Sequence, residues 1–259
     1  MNVESAKGIT GHTQEQWQAR VDLAAAHRCA VMHELHEGIF NHLTLRVPGK
    51  PGRYYQIPWG LHWSEITASC FMEVGYDGEV KEGEGMVEQS AYCIHAPIHD
   101  KVAQADAVFH THMPFASALT RLADQHIKPI GQTELGTAMK TGYDEGYDGP
   151  GLHPTEGDRL AALCGDNQIL MMANHGVLTL GKNVAEAYDR LYYLERVAHV
   201  QLYAMWTNQP LRELPEPIIE KTYEGFRKEG AMYGDKSNAE WHFEALKRIL
   251  DRNEPDYKT

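Results

Sequence analysis

The stretch Ala107-Val108-Phe109-His110-Thr111-His112-Met113 most constrains what this chain can fold into and hold. It reads as an apolar strand that ends in two histidines, one residue apart. Successive strand side chains point to opposite faces, so His110 and His112 share one face. Two imidazoles side by side at a strand end supply half of a divalent-metal site. They read equally well as two surface histidines on an edge strand. A third ligand and a pocket decide between these readings.

His175 is the candidate third ligand. Residues 168–173 form an apolar run that predicts a buried strand, Asn174-His175-Gly176 a turn, and residues 177–180 a further strand. A histidine in that turn lies at a strand end, where the functional loops of layered folds gather. Three histidines leave a position open for water or substrate, the pattern of a catalytic rather than a structural metal. Taken alone, His175 also reads as a residue that merely caps a turn.

The surrounding pattern predicts an α/β layered architecture. Residues 1–12 read as loosely ordered. Thr13 and Gln16 form a capping box for a helix running to about residue 36. Strands follow over 39–47, 54–57 and 70–74, with a short helix near 64–67. A helix spans about 90–103, with Pro97 uncomfortable at its centre. Pro114 opens a helix after the His-x-His strand. Residues 141–155 are rich in Gly, Tyr, Asp and Pro and read as a long functional loop. A short helix covers 155–163, Asn183 caps a long helix to about residue 206, and two helical patches cover 219–229 and 238–251. No composition shift divides the chain, so residues 1–259 read as one domain, with a core of about 15–207 and a helical extension over 208–259.

Charge and cysteines narrow the function classes. Lys and Arg total 24 against 36 Asp and Glu, a net charge of −12. That disfavours nucleic acid or an anionic membrane as partner and leaves a small molecule. No apolar run reaches the roughly 18 residues of a membrane helix, and the first residues do not read as a signal peptide. Cys29, Cys70, Cys93 and Cys164 are isolated, which fits reduced thiols and a cytoplasmic location.

His110-Thr111-His112, Ala173-Asn174-His175-Gly176 and Val184-Ala185-Glu186-Ala187-Tyr188, in this order, resemble the motifs of the class II aldolase/adducin family over most of residues 15–207. The resemblance implies a three-layer α/β/α fold with a mixed, largely antiparallel sheet. It implies a divalent metal on His110, His112 and His175, often zinc, with manganese or iron as alternatives, and a homotetramer. The implied chemistry is carbon–carbon cleavage through a metal-stabilised enolate. An epimerase or dehydratase would use the same metal, and adducin heads keep the fold as assembly modules without established catalysis.

Two departures shape the expected substrate. The sugar-phosphate aldolases carry a glutamate four residues before a helical histidine; that histidine is His95 here, and Ala91 stands in the glutamate's place. Glu88 is nearby in sequence but lies almost a full turn earlier and need not reach. The phosphate-holding turn is Ile57-Pro58-Trp59-Gly60, with bulky apolar groups in place of hydroxyls. Asn41, Thr44 and Ser90 match the remaining substrate positions. The expectation is therefore an aldolase or decarboxylase for a small unphosphorylated hydroxy- or keto-acid. Asn41, Thr44, Trp59, Gly60 and Ser90 would bind the substrate. Proton transfer would fall to His95, or to Glu134, Tyr143 or Tyr147 near the irregular stretch, since a tyrosine of that region serves in the family.

Overall fold

In the computed structural model, residues 11–147, 149, 151–228 and 235–259 are described. The expected looseness of residues 1–10 lies outside them. Eight described strands form one sheet: β1 (His42–Arg46), β2 (Arg53–Gln56), β3 (Met72–Gly75), β4 (Val80–Glu82), β5 (Ala107–Thr111), β6 (Thr141–Asp144), β7 (Ile169–Met172) and β8 (Val177–Gly181). Their order is β4-β3-β2-β1-β5-β8-β7-β6. Every neighbouring pair is antiparallel except β6 and β7. This is the mixed, largely antiparallel sheet that the sequence predicts.

The His-x-His strand β5 lies inside the sheet, not at an edge, and all five of its residues are buried. Alternation along it serves two cores. Ala107 and Phe109 pack into the larger one with α1 (Gln14–Met32), α6 (Val184–Trp206) and α8 (Asn238–Asn253). Val108 packs into the other, with Ile94 and Ile98 of α2 (Gln89–Lys101) and Leu160 of α5 (Pro154–Cys164). By the period of two, His110 faces the α2–α5 layer.

Local signals explain most element boundaries. Thr13 and Gln16 make the expected capping box of α1, and Asn183 accepts the Glu186 N–H at the start of α6. α1 stops at Met32, earlier than predicted, because Glu34 turns to φ 58° and Leu35 N–H returns to Ala30 O. β1 starts at His42 because Asn41 adopts φ 74°. Within the stretch predicted as loop, residues 141–144 are a strand, paired parallel with β7.

α2 runs through Pro97 without ending. Proline lacks the N–H that Cys93 O would otherwise receive. The chain uses that carbonyl as a packing surface: a Cβ on Gly157 of α5 would lie 2.1 Å from Cys93 O and 2.8 Å from Pro97 Cγ. Gly157→Ala gains about 1 kcal/mol of helix propensity. Overpacking against a backbone atom that cannot rotate away costs about 1–3 kcal/mol. The expected result is a net loss of stability and a lower urea midpoint; an unchanged midpoint would show that α5 can retreat freely.

Candidate metal centre

Two elements meet at one end of the sheet. β5 delivers His110 and, one residue past its end, His112, and the β7–β8 turn delivers His175. That turn is tight because Asn174 sits at φ 58° and Met172 N–H bonds Gly176 O at 3.0 Å. Gly176 has a steric reason too: a Cβ there would lie 2.6 Å from both His112 Cδ2 and Thr111 O. The rings of His110, His112 and His175 form a near-equilateral triangle, with centroids 4.9, 4.9 and 5.0 Å apart. One ring nitrogen from each lies within 4.8 Å of the others.

Two of the outer nitrogens, those of His110 and His112, are tied down. His110 Nδ1 lies 3.0 Å from Val177 O, so it carries the proton and leaves Nε2 as a lone pair. His112 Nδ1 lies 2.6 Å from Glu37 Oε2, and its buried Nε2 has no partner. A metal-ligating histidine needs this arrangement of a second nitrogen held by a carbonyl or carboxylate. Burial keeps the rings neutral. It pushes the His110 pKa well below the ordinary value and, reinforced by His112, brings that of His175 to about 4. Burial lowers His112 as well, against the pull of Glu37. Neutral imidazole is the ligating form, so the donor set fits a divalent ion of the zinc, manganese or iron type.

The triad opens on a cavity of about 560 Å³, lined also by Glu37, Gly38, Phe40, Asn41, His42, Glu88 and Ser90. Of the predicted substrate residues, Asn41 and Ser90 face it. Asn41 Oδ1 accepts the His112 N–H at 3.0 Å, and Asn41 Nδ2 is buried without a partner. Trp59 packs at a tilt against Phe40, 5.5 Å between centroids, and lines a small adjoining cleft with His42 and Glu88. Gly60 lines neither space.

Thr44 is fully buried and works on two histidines instead. His99 Nδ1 donates to Ala105 O at 2.8 Å, so its Nε2 accepts the Thr44 hydroxyl at 2.8 Å. Thr44 Oγ1 then accepts from His95 Nδ1 at 2.6 Å. His95 stands behind His42, 5.1 Å between ring centroids, and does not line the cavity. Glu134 is buried in the first turn of α4 (Gln132–Ala138), away from the cavity. The Tyr143 hydroxyl accepts the Ile127 N–H at 3.1 Å, and its ring packs on His126. The tyrosine that approaches the triad is Tyr147, 6.2 Å from the His175 ring.

Sequence reasoning missed two residues, His42 and Glu37, and left a third, Glu88, undecided. His42 is the direct cross-strand partner of His110, which places their rings 5.3 Å apart. Glu37 reaches His112 across 75 positions of sequence. Glu88, which the sequence left open, does reach the pocket. It is the N-cap of α2, with extended backbone (φ −73°, ψ 127°), so its side chain folds back over the first turn. Its carboxylate accepts the Ala91 N–H, the Ser90 hydroxyl and His42 Nε2–H, the last at 2.8 Å. Burial pushes the Glu88 pKa up, but the His42 contact and the other two donors outweigh it and hold the pKa at about 2. A glutamate just before a helix start was the available signal.

A second group, His12, Glu73 and Glu82, has similar spacing. Its carboxylates already pair with Lys50 at 2.7 Å, Arg53 at 3.1 Å and Arg20 at 3.4 Å. Cations of the chain occupy that place, so it offers a metal little.

Known proteins match this architecture. Residues 21–202 match the family model described as the class II aldolase and adducin N-terminal domain. A Pseudomonas aeruginosa protein, named provisionally as an aldolase class 2 protein, is 30% identical over 94% of this chain and 93% of its own length. The crystal structure of an aldolase II superfamily protein from Pseudomonas syringae superposes with a TM-score of 0.87 at 31% identity, covering 96% of this chain and 98% of that one. An L-fuculose 1-phosphate aldolase from Glaciozyma antarctica shares the fold, with a TM-score of 0.80 at 22% identity over 98% and 97% of the two chains.

Proposed function

We propose that this chain, which belongs to the class II aldolase and adducin family, is a divalent-metal-dependent carbon–carbon lyase for a small unphosphorylated hydroxy- or keto-acid. One observation carries the reading: three neutral imidazoles converge on a cavity, two of them, His110 and His112, with the outer nitrogen already bonded. His110, His112 and His175 would hold the metal, zinc first, with manganese or iron as alternatives. A divalent ion there polarises a carbonyl and takes up negative charge as the bond breaks.

The protein's own groups do the rest. Asn41 Nδ2 is a buried donor without a partner, suited to a substrate carboxylate or carbonyl oxygen. Glu88 is engaged by three donors and held far below neutral pH, so it is a poor general base. Decarboxylation needs no base to begin: carbon dioxide leaves, and the electron pair passes into the neighbouring carbonyl. The carbon left behind then takes a proton. The Tyr147 hydroxyl at the rim is placed for this, whereas Tyr143 is bonded elsewhere and His95 reaches the pocket only through His42.

The test is an assay of purified protein on a panel of unphosphorylated hydroxy- and keto-acids, following aldehyde and carbon dioxide with and without chelator. Chelator-sensitive release from at least one acid is expected, slowed in Tyr147→Phe with metal content unchanged. Release indifferent to chelator would sink the proposal. Glu37→Gln should weaken metal affinity about 10–100-fold by loosening His112, read by competition with a chromogenic chelator; unchanged affinity would show that Glu37 does not orient the ligand.

The four described cysteines are free thiols, and no helix among the described residues is long and apolar enough to cross a membrane. On our reading the enzyme is cytoplasmic. It assembles as a homotetramer through surfaces such as the exposed Tyr203–Trp206 face of α6. Light scattering reads the assembly directly, and a monomer would contradict it.

A further inference from the structure

We propose that Glu88 is a built-in anion seated at the N-terminus of α2, and that it sets the pocket against phosphate and in favour of a substrate end that donates a hydrogen bond, a hydroxyl or an ammonium. This rests on reading the cavity as the substrate pocket of a lyase, and it adds the chemistry of the substrate's far end.

Three donors converge on Glu88 at that end of the cavity, the Ala91 N–H in the first turn of α2, the Ser90 hydroxyl and His42 Nε2–H, and a fourth, Asn41 Nδ2, belongs to the same cavity lining. A helix N-terminus with side-chain donors around it attracts an anion. Here the chain supplies the anion itself. Glu88 Oε2 takes the Ala91 N–H at 2.5 Å and His42 Nε2–H at 2.8 Å, and the Ser90 hydroxyl lies 2.8 Å from Oε1 and 2.9 Å from Oε2. Asn41, only 5% exposed, keeps its Nδ2 without a partner on the same cavity. A phosphate entering here would find three of the four donors spent and a full negative charge in its place.

The same carboxylate has something to offer a donor. Oε1 meets only the shared Ser90 hydrogen, so lone pairs remain for a substrate hydroxyl or ammonium. Phe40 and Trp59 flank this end with aromatic rings. Such a surface suits the carbon face of a polyol or an ammonium group and does nothing for an anion.

The test is binding of inorganic phosphate to the full-length protein by isothermal titration, comparing wild type with Glu88→Gly. Glycine is an acceptable N-cap, and removing the carboxylate frees the cradle. Phosphate is expected to bind Glu88→Gly about tenfold or more tightly than wild type. Adding Asn41→Ala should erase the gain, which ties the anion to this cavity. Equal binding by wild type and Glu88→Gly, or a gain that survives Asn41→Ala, overturns the proposal. Should Glu88→Gly fail to fold by circular dichroism, Glu88→Ser carries the same expectation. The readout needs no turnover, so loss of the lyase reading and loss of this one are separable: chelator-indifferent activity would overturn the first, and phosphate titration decides the second.

Discussion

His110→Ala is expected to lose its metal and to lower turnover by about 1000-fold or more. His110 is the least replaceable of the three proposed ligands. It is 2% exposed, fixed on the central strand by pairs to both β1 and β8, and its tautomer is set by Val177 O. Among the described residues no other imidazole shares ligand spacing with the remaining two: His42, 5.3 Å from the His110 ring, falls outside the group, and His95 lies behind His42. Two ligands hold a divalent ion far less firmly than three. The loss should also show without any substrate. Metal that binds the folded state alone stabilises it in proportion to the logarithm of its concentration. Chelator should therefore lower the wild-type melting temperature and leave His110→Ala unchanged. A variant that keeps one metal per chain would place the ion elsewhere.

The second large effect concerns acid. His27, His95 and His99 are wholly enclosed, and none is a metal ligand. Burial pushes the His27 pKa down to about 4 and that of His99 to about 3, in each case against a backbone hydrogen bond, and holds His95 well below its ordinary range. In the unfolded chain each titrates near 6.5. Between pH 6.5 and about 4 the unfolded state therefore binds more protons than the folded one, and stability falls as pH falls. Above about pH 7 both states are neutral at these sites and the contribution is flat. Each group contributes about 1.4 kcal/mol per pH unit within the window, so the three together approach about 4 kcal/mol per unit. The carboxylate of Glu88, held at about 2, is lost only at lower pH and does not confuse the result. Urea midpoints taken from pH 7.5 to 5 should fall steeply. His27→Phe should flatten the slope by about 1.4 kcal/mol per pH unit, because the His27 ring packs edge-on to Trp63 at 5.0 Å and only its Nδ1 makes a hydrogen bond, to Leu23 O. A flat stability profile through this range would contradict the burial of these rings.

What the sequence made legible was whatever a short period or a local cap controls. His110 and His112 share a face because strands repeat every two residues, and His175 follows a buried strand into a glycine turn. Thr13 and Asn183 cap their helices as their residue types require. The remaining half of the pocket depends on which strand lies beside which. His42 faces His110 only because β1 pairs with β5 in that register, and Glu37 meets His112 only because the chain before β1 passes the end of β5. Neither relation leaves a local trace. Glu88 stayed undecided for a conformational reason: sequence does not say which way a residue before a helix start turns, and as an extended N-cap it folds back into the site. Tyr143 and Glu134 were expected near the chemistry because residues 141–155 read as loop; β6 draws Tyr143 into the sheet and leaves Tyr147 beside His175.

The most direct measurement is anomalous diffraction from crystals of the purified protein, collected across the absorption edges of zinc, iron and manganese. One peak is expected at the centre of the His110, His112 and His175 triangle, within bonding distance of all three imidazoles. A protein that cleaves its acid substrate while its crystals show no ion between those rings would contradict the metal-dependent lyase.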